Sequence, residues 1–397
     1  MDSLFATHNR ILDKLQDRFT RPLEKEINWD QQLIAIQGAR GVGKTTLFLK
    51  HIKQGHSGGT KALYVSLDHL YFSNNTLLDF ATEFYSHGGR HLFIDEVHKY
   101  PNWSRELKNM YDGFPDLKVA FTSSSILEIL KGNADLSRRV VIYDLEGLTF
   151  REFLQIETGK KFESHSLKEL MTNHISIARG ITKEVQPYVH WKNYLMYGYY
   201  PFYLEGKETY NQRLMNVINI TLDIDLVQCR HVEYSYINKL KKLLYMVAVS
   251  PPMEPNIAKL SQVIEASRAT ITQYFDYLGD ACLVNLLKSD KKGYARLAKA
   301  EKVYLHNTNL SYSIAPEAVN SGNARETFFF NQVGALHKIT HAQHADFLVD
   351  EKFIFEIGGK NKTDYQIGNA KNAFIAADDM EVGVGNKIPL WLFGFLR

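Results

Sequence analysis

Gly38-Ala-Arg-Gly-Val-Gly-Lys44-Thr45 is the stretch that decides the fold of the first part of this chain. It follows the short apolar run Leu33–Gln37, and the residues from Lys44 to about Lys53 have a helical pattern. A glycine-rich turn between a strand and a helix, with the spacing GxxxxGK[ST], is typical of a loop that wraps phosphate groups. Glycine is required there because a side chain would block the approach of the backbone and because the turn uses positive φ angles.

The residues of this loop have distinct expected roles in holding a nucleotide. Backbone N–H groups around Gly41 and Gly43 are expected to wrap the β-phosphate, helped by the positive end of the following helix. Lys44 is expected to reach the β- and γ-phosphates, and the Thr45 hydroxyl to ligate Mg²⁺. The sequence therefore predicts a site for ATP and Mg²⁺, with no pattern that separates ATP from GTP. The predicted nucleotide contacts are Gly38, Ala39, Arg40, Gly41, Val42, Gly43, Lys44, Thr45 and Thr46.

A second motif, His91-Leu-Phe-Ile-Asp95-Glu96, is an apolar strand that ends in two carboxylates. Because the carboxyl ends of parallel strands meet at one edge of a sheet, Asp95 is expected to face the phosphate loop and hold the Mg²⁺ shell. Glu96 is placed to take a proton from an attacking water. The doublet argues against a small-molecule kinase, which needs no water-activating base at this position.

Hydroxyl groups and an arginine complete the predicted site. The strand-like stretch Lys118-Val-Ala-Phe-Thr-Ser123 ends in hydroxyls, and Thr122 or Ser123 is expected to hydrogen-bond the attacking water or the γ-phosphate. The alternative is an ordinary N-cap for the helix predicted from Ile126, and both roles can hold with different residues of Thr122-Ser-Ser-Ser125 serving each. Arg139, before the last predicted strand, is a candidate for stabilising transition-state charge in its own site or a neighbour's; a surface ion pair is the alternative.

The fold class follows from how these segments alternate. Five predicted strands separated by helices favour an α/β fold, a parallel sheet with helices on both faces. From Thr149 to about Lys242 the pattern is mostly helical, and a proline cluster near Pro251 then precedes a compact segment. The predicted strands are Leu33–Gln37, Ala62–Leu67, His91–Asp95, Lys118–Thr122 and Val140–Tyr143.

Composition limits the class of protein. The chain has 397 residues, of which 45% are hydrophobic and 23% charged, and this excludes a disordered or fibrous protein. Lys and Arg number 47 against 44 Asp and Glu, so any basic surface is local. Two cysteines are too few for a disulfide framework, and no apolar run approaches the ~18 residues that span a bilayer. We therefore expect a cytoplasmic protein with no membrane partner.

The segment Asn256–Ser311 has the pattern of a winged helix. Ile257–Ile264 and Ala269–Leu278 are predicted helices joined by a turn, and Ser267 is suited to cap the second. The following hairpin has a local excess of basic residues, of the kind that contacts the phosphate backbone of double-stranded DNA. The alternatives are a lid over the ATP site and a contact with a protein partner. The basic residues are Lys288, Lys291, Lys292, Arg296 and Lys299.

Residues from about 30 to 155 resemble the AAA-superfamily ATPases of bacteria and archaea that carry an additional strand and a catalytic glutamate. The resemblance implies ATP hydrolysis with Mg²⁺ and a functional arginine at Arg139. This chain has Arg138 where that group usually has glycine, so either arginine is a candidate. The motifs that carry the resemblance are the phosphate loop, Asp95-Glu96, Thr122-Ser-Ser-Ser125, Leu136-Ser-Arg-Arg139 and Leu148-Thr-Phe-Arg-Glu-Phe153.

The resemblance extends to a subgroup with a winged helix and a carboxyl-terminal domain similar to PD-(D/E)XK nucleases. It implies that Glu326, Asp346 and Glu356 gather a Mg²⁺ for phosphodiester hydrolysis. The water-orienting lysine of those nucleases is expected two residues after the second acid, where this chain has Gly358, and Lys360 follows. Because that shift breaks strand alternation, a retired nuclease fold used for binding is favoured over an active nuclease.

The favoured function is slow Mg²⁺-dependent ATP hydrolysis, in which the nucleotide state repositions the carboxyl-terminal domains. One alternative is a nucleotide-gated scaffold with negligible turnover, acting through DNA, a protein partner or a second copy of the chain. The other is an ATP-controlled DNA nuclease. The expected divisions are 1–155 for the P-loop ATPase domain, 156–250 for the helical region, 251–315 for the winged helix and 316–397 for the nuclease-like domain.

Overall fold

The chain, described by a computed structural model, divides into two compact units. They comprise residues 1–147 with Ile224–Val232, and residues 148–223 with 233–397. The region expected to be helical at 156–250 thus contributes one short segment to the first unit. The structure describes residues 1–16, 19–56, 59–124, 136, 138–230, 232–250, 252–289, 300–363, 368 and 372–397. The helix predicted at Ser125–Lys131 lies outside these residues.

A five-stranded parallel sheet organises the first unit. Its spatial order is β2-β3-β4-β1-β5, and every neighbouring pair is parallel. This topology confirms the predicted α/β P-loop class, and each predicted strand is present within two residues of its predicted ends. The strands are β1 (Leu33–Gly38), β2 (Ala62–Ser66), β3 (His91–Asp95), β4 (Lys118–Ser124) and β5 (Val141–Asp144).

Helices cover both faces of this sheet. Leu92 and Ile94 of β3 belong to one buried cluster, together with Phe80 from a helix on that face. Phe93, between them, contacts Phe48 from a helix on the other face, with ring centroids 5.5 Å apart. Since successive strand residues point to opposite faces, both faces are apolar and must be covered. The helices are α1 (Asp2–Lys14), α2 (Leu23–Glu26), α3 (Lys44–Gly55), α4 (Leu77–Ser86) and α5 (Trp103–Gly113).

Most remaining helices build the second unit around an aromatic core. Phe150 contacts the rings of Trp191 and Tyr194, and Trp191 contacts Phe328 with centroids 4.6 Å apart. These contacts account for part of the high aromatic content of the chain. The helices are α6 (Phe150–Thr158), α7 (Leu167–Glu184), α8 (Pro187–Asn193), α9 (Tyr210–Ile220), α10 (Leu226–Arg230, in the first unit), α11 (Ile237–Val249), α12 (Ile257–Ile264), α13 (Arg268–Asp280), α14 (Thr308–Ile314) and α15 (Ser321–Gly334).

Helices α12 and α13 precede an antiparallel hairpin of β6 (Val284–Lys288) and β7 (Ala300–Leu305). The side chain of Ser267 accepts a hydrogen bond from the Thr270 N–H and so caps α13, as predicted. Lys288 is exposed at the end of β6. The other expected basic residues of the hairpin, Lys291, Lys292, Arg296 and Lys299, lie outside the described residues.

A second five-stranded sheet lies near the carboxyl terminus, in the order β12-β11-β10-β9-β8. Neighbours among β8, β9 and β10 are antiparallel, and neighbours among β10, β11 and β12 are parallel. The apolar residues 390–395 that follow β12 are buried. Among the described residues, no helix is long and apolar enough to cross a membrane. The strands are β8 (Ile339–His341), β9 (Phe347–Val349), β10 (Phe353–Gly358), β11 (Ala373–Ala377) and β12 (Lys387–Pro389).

Candidate active site

The phosphate loop connects β1 to α3 at the carboxyl edge of the first sheet. Gly41 and Gly43 have φ angles of 86° and 99°. These left-handed conformations strain any residue with a Cβ, so glycine is required at both positions. Helix α3 begins directly at Lys44 without a side-chain cap, and the N–H groups of a helix's first turn have no partner within the helix. The loop therefore has the backbone geometry of an anion site.

Lys44 is held inside this loop by backbone carbonyls. Its Nζ donates to the carbonyl oxygens of Gly38 and Ala39, at 2.7 and 2.9 Å. Burial lowers the pKa of the Lys44 ammonium to about 8, against the opposing charge of Asp95. The ammonium thus lies at the phosphate loop with hydrogen bonds that phosphate oxygens can replace.

Asp95, at the end of β3, accepts hydrogen bonds from three hydroxyl groups. Thr45 Oγ1 donates to its Oδ2 at 2.6 Å, Tyr64 donates to the same oxygen at 2.8 Å, and Thr122 donates to Oδ1. Asp95 is 4% exposed. The Thr45 hydroxyl and the Asp95 carboxylate are adjacent hard oxygen donors, and Mg²⁺ in nucleotide sites is held by such groups together with phosphate oxygens. The residues present therefore fit Mg²⁺.

Glu96 occupies a turn at the end of β3 with a left-handed backbone, φ 54°. Its N–H donates to Thr122 Oγ1 at 2.9 Å and to Asp95 Oδ1 at 3.1 Å. A non-glycine residue held in this conformation is strained, and such strain is typical of functional positions. The Glu96 carboxylate forms ion pairs with Arg40, at 3.4 Å, and with Lys99.

The two hydroxyl residues expected to sense the γ-phosphate differ in their surroundings. Thr122 and Ser123 are both fully buried. Thr122 links Asp95 to the backbone of Glu96, whereas Ser123 Oγ has no hydrogen-bond partner among the described residues. The hydrogen-bond network around Asp95 thus includes Thr122 and not Ser123.

The two candidate arginines before β5 differ in position: Arg139 lies against α5, and Arg138 is exposed. Arg139 donates to both carboxylate oxygens of Asp112, at 3.0 and 3.2 Å, and lies over the ring of Tyr111. Arg138 is exposed. The ion pair with Asp112 corresponds to the alternative considered for Arg139 from the sequence.

Two charged residues of the site, Asp225 and Arg21, were missed by sequence reasoning. The Arg40 side chain makes a two-fold hydrogen bond to Asp225, Nε to Oδ2 at 3.0 Å and Nη2 to Oδ1 at 2.9 Å. Arg21 donates to the carbonyl oxygens of Val42 and Glu146, at 3.1 and 2.8 Å, and so ties the loop to the chain after β5. Asp225 lies 185 positions after Arg40, so no local motif marks it.

The carboxylates expected in the second site lie beside two lysines. Lys302 Nζ is 3.8 Å from both Glu326 and Asp346, and Lys362 Nζ is 2.5 Å from Glu356. Burial and the neighbouring charge of Asp346 raise the pKa of the Glu326 carboxyl to about 7. Among the described residues, no group of three or more His, Cys, Asp or Glu has the arrangement to hold a metal ion.

The lysine that reaches Glu356 is Lys362, whereas Lys360 is exposed. The chain turns after β10, and a Cβ at Gly358 would lie 2.7 Å from the Cβ of Lys362. Gly358 therefore makes room for Lys362 to fold back toward the strand. The two consecutive glycines, Gly358 and Gly359, indicate a turn in the sequence, but they do not specify which of the following lysines contacts Glu356.

The chain matches two families of protein domain. Residues 30–154 match the AAA domain, and residues 188–320 match a domain of unknown function, DUF8612. A curated relative, the uncharacterized protein MJ1637 of Methanocaldococcus jannaschii, is 26% identical over 280 residues, which is 67% of this chain and 58% of the relative. The match therefore spans less than two thirds of that protein's length.

Solved structures with similarity to the chain include three proteins at 11–15% identity. AMPPCP-bound DnaA from Aquifex aeolicus has a TM-score of 0.30, covering 68% of this chain and 93% of DnaA. A single-substitution variant of Thermotoga maritima RuvB has a TM-score of 0.31, covering 72% and 89%. Aeropyrum pernix ORC1 in complex with DNA has a TM-score of 0.29, covering 79% and 92%.

Proposed function

We propose, from the match of residues 30–154 to the AAA domain, that the protein binds ATP with Mg²⁺ and hydrolyses it slowly. The observation that carries the proposal is the grouping of Lys44, Thr45 and Asp95 at one edge of the sheet. Glu96 follows directly on Asp95, with its N–H bonded to Thr122. These groups supply a phosphate ligand, a hard-oxygen metal site and a base.

Each residue has a separate role in the proposed reaction. Lys44 holds the β- and γ-phosphates, and Glu96 accepts a proton from the water whose oxygen attacks the γ-phosphorus. ADP leaves with the electrons of the broken P–O bond, and phosphate is released. Thr122 fixes the backbone of Glu96, and Mg²⁺, when bound by Thr45 and Asp95, neutralises phosphate charge.

The ion pairs of Glu96 are consistent with slow turnover. Its carboxylate lies between the guanidinium of Arg40 and the ammonium of Lys99, and both contacts compete with a water molecule for its oxygens. The same observation favours the second candidate, a nucleotide-gated scaffold that binds ATP with negligible turnover. The two candidates differ in hydrolysis and agree in binding.

The deciding experiment measures phosphate release and nucleotide affinity on the full-length chain. Glu96→Gln is expected to keep Mg²⁺-ATP affinity and to lose turnover by about 10²- to 10⁴-fold, because it removes the proton acceptor. Lys44→Ala is expected to lose affinity. Glu83→Gln, which removes an exposed carboxylate on α4, is the matched control and is expected to keep wild-type turnover.

The outcomes separate the candidates. Wild-type turnover that disappears in Glu96→Gln with retained binding supports the ATPase. Binding without wild-type turnover supports the scaffold, and the absence of binding contradicts both. The same assay with double-stranded DNA tests the proposed DNA contact: a rise in turnover supports it, and unchanged turnover directs attention to a protein partner or a second copy of the chain.

We propose for the carboxyl-terminal cluster a structural or binding role rather than nuclease activity. Support comes from two lysines: Lys362 pairs with Glu356, and Lys302 lies 3.8 Å from both Glu326 and Asp346, so cations of the chain already lie beside these carboxylates. Mg²⁺-dependent DNA cleavage that disappears in Asp346→Ala would contradict this role.

A further inference from the structure

One side chain from far along the sequence lies at the phosphate loop. Asp225 belongs to the segment Ile224–Val232, which is part of the first unit although its flanking residues belong to the second. Its side chain is 1% exposed, and both of its oxygens accept hydrogen bonds from Arg40. A parallel two-fold pair of this kind fixes the plane and position of the guanidinium.

Asp225 lies close to two residues near Glu96: Arg40 of the phosphate loop and His98 of the short helix after Glu96. On one side it holds Arg40, whose Nη1 is 3.4 Å from Glu96 Oε1. On the other, its Oδ1 is 3.8 Å from Nε2 of His98, in the short helix that follows Glu96. Burial opposes the charge of Asp225, but the nearby imidazole of His98 and the hydrogen bonds and charge of Arg40 lower the pKa of its carboxyl. Asp225 therefore stays ionised beside the base.

The distances show how Arg40 is shared between two carboxylates. Its bonds to Asp225, at 2.9 and 3.0 Å, are full hydrogen bonds, whereas its 3.4 Å contact with Glu96 is longer than the usual range for N–H···O bonds. Without the charge of Asp225, Glu96 becomes the nearest carboxylate partner of a half-buried guanidinium. The two groups are then expected to close into a direct hydrogen bond.

We infer that Asp225 is a positioning residue for ATP hydrolysis: by holding Arg40, it keeps Oε1 of Glu96, the carboxylate oxygen that does not pair with Lys99, available to the attacking water. The inference rests on the proposed function of the same site. Asp225 itself touches neither phosphate nor water and acts through Arg40.

The test is Asp225→Asn in the full-length chain, with kcat and Mg²⁺-ATP affinity measured separately. The substitution keeps the size of the side chain and removes its charge, so Arg40 engages Glu96. We expect kcat to fall at least about ten-fold, since a misplacement of about 1 Å can cost about 10²-fold, and affinity to stay within about two-fold. Asp223→Asn is the matched control, since Asp223 pairs with Lys241 at 2.8 Å, and it is expected to keep wild-type kcat.

A second substitution distinguishes positioning from a purely structural role. Arg40→Met is measured alone and together with Asp225→Asn. Because Asp225 acts only through Arg40, Asp225→Asn is expected to change kcat little in the Arg40→Met background. A structural role predicts the opposite, because the two losses would add. Losses that add in the double variant therefore overturn the inference.

Two further results separate the role of Asp225 from the proposed ATP hydrolysis. Wild-type turnover that is lost in Lys44→Ala but unchanged in Asp225→Asn overturns this inference and leaves the proposed function intact. No wild-type turnover overturns hydrolysis and this inference together. If Asp225→Asn does not fold, Arg40→Lys takes its place: an ammonium cannot form the two parallel bonds, so kcat is expected to fall with affinity retained, and an unchanged kcat overturns the inference.

Discussion

The affinity of the protein for Mg²⁺-ATP is expected to fall as the pH rises through about 8. Lys44 carries this prediction, because burial lowers the pKa of its ammonium to about 8. The charged form, which attracts phosphate, is present below that pKa and is lost above it. A lysine with its ordinary pKa near 10.4 would leave affinity constant across this range.

The expected magnitude follows from the fraction of protonated Lys44. With a pKa of about 8, that fraction is about 0.9 at about pH 7 and about 0.1 at about pH 9. If phosphate binds only the ammonium form, the dissociation constant rises about ten-fold over this interval, or about 1.4 kcal/mol. Bound phosphate raises the pKa of Lys44, so the lysine stays charged in the complex. Only the free protein loses this charge over the interval, and the loss is measured as a higher dissociation constant.

The assay is a titration of the full-length chain with a non-hydrolysable ATP analogue and excess Mg²⁺, at constant ionic strength, by calorimetry. Lys44→Met is expected to bind more weakly and to show no pH dependence over the same interval. Lys53→Met, at the exposed end of α3, is the matched control and is expected to keep the wild-type slope. A flat wild-type profile, or an unaltered slope in Lys44→Met, would refute the reasoning.

Two further predictions concern stability and are measured by urea denaturation. Tyr64→Phe removes a 2.8 Å hydrogen bond to the buried carboxylate of Asp95 and is expected to lower the free energy of unfolding by about 2 kcal/mol; an unchanged midpoint would show that the remaining hydroxyls suffice. Lys362→Met leaves Glu356, whose side chain is 3% exposed, without its cation and is expected to lower the free energy of unfolding by about 2 kcal/mol. This loss is smaller than that for a fully buried pair, because Lys362 is partly exposed. Lys360→Met is the control, and a loss as large as that of Lys362→Met would contradict the assignment.

The sheet and the loop could be predicted from sequence because their signals are local. Each strand of the first unit is a short apolar run, and the loop glycines stand at fixed spacing before Lys44. The doublet Asp95-Glu96 was identified in the same way, because adjacent residues at the end of a strand must lie at the same sheet edge.

The partners of those residues depend on strand order and on distant segments. Tyr64 and Thr122 meet Asp95 because β2 and β4 flank β3, an order that the strand sequences do not state. Strand alternation does not place Lys360 beside Glu356. The chain turns at Gly358, and the lysine that contacts Glu356 is Lys362. A turn changes side-chain direction in a way that alternation along a strand cannot represent.

The sequence by itself determined that the chain has a P-loop sheet, with a phosphate loop at Gly38–Thr45 and two carboxylates at the end of β3. Only the tertiary structure decided which charges surround the proposed base. Arg40 and Asp225 lie 185 positions apart, and their pairing is fixed by the docking of Ile224–Val232 within the first unit. Local patterns arise from backbone geometry over a few residues, whereas a long-range ion pair depends on how the whole chain folds back on itself.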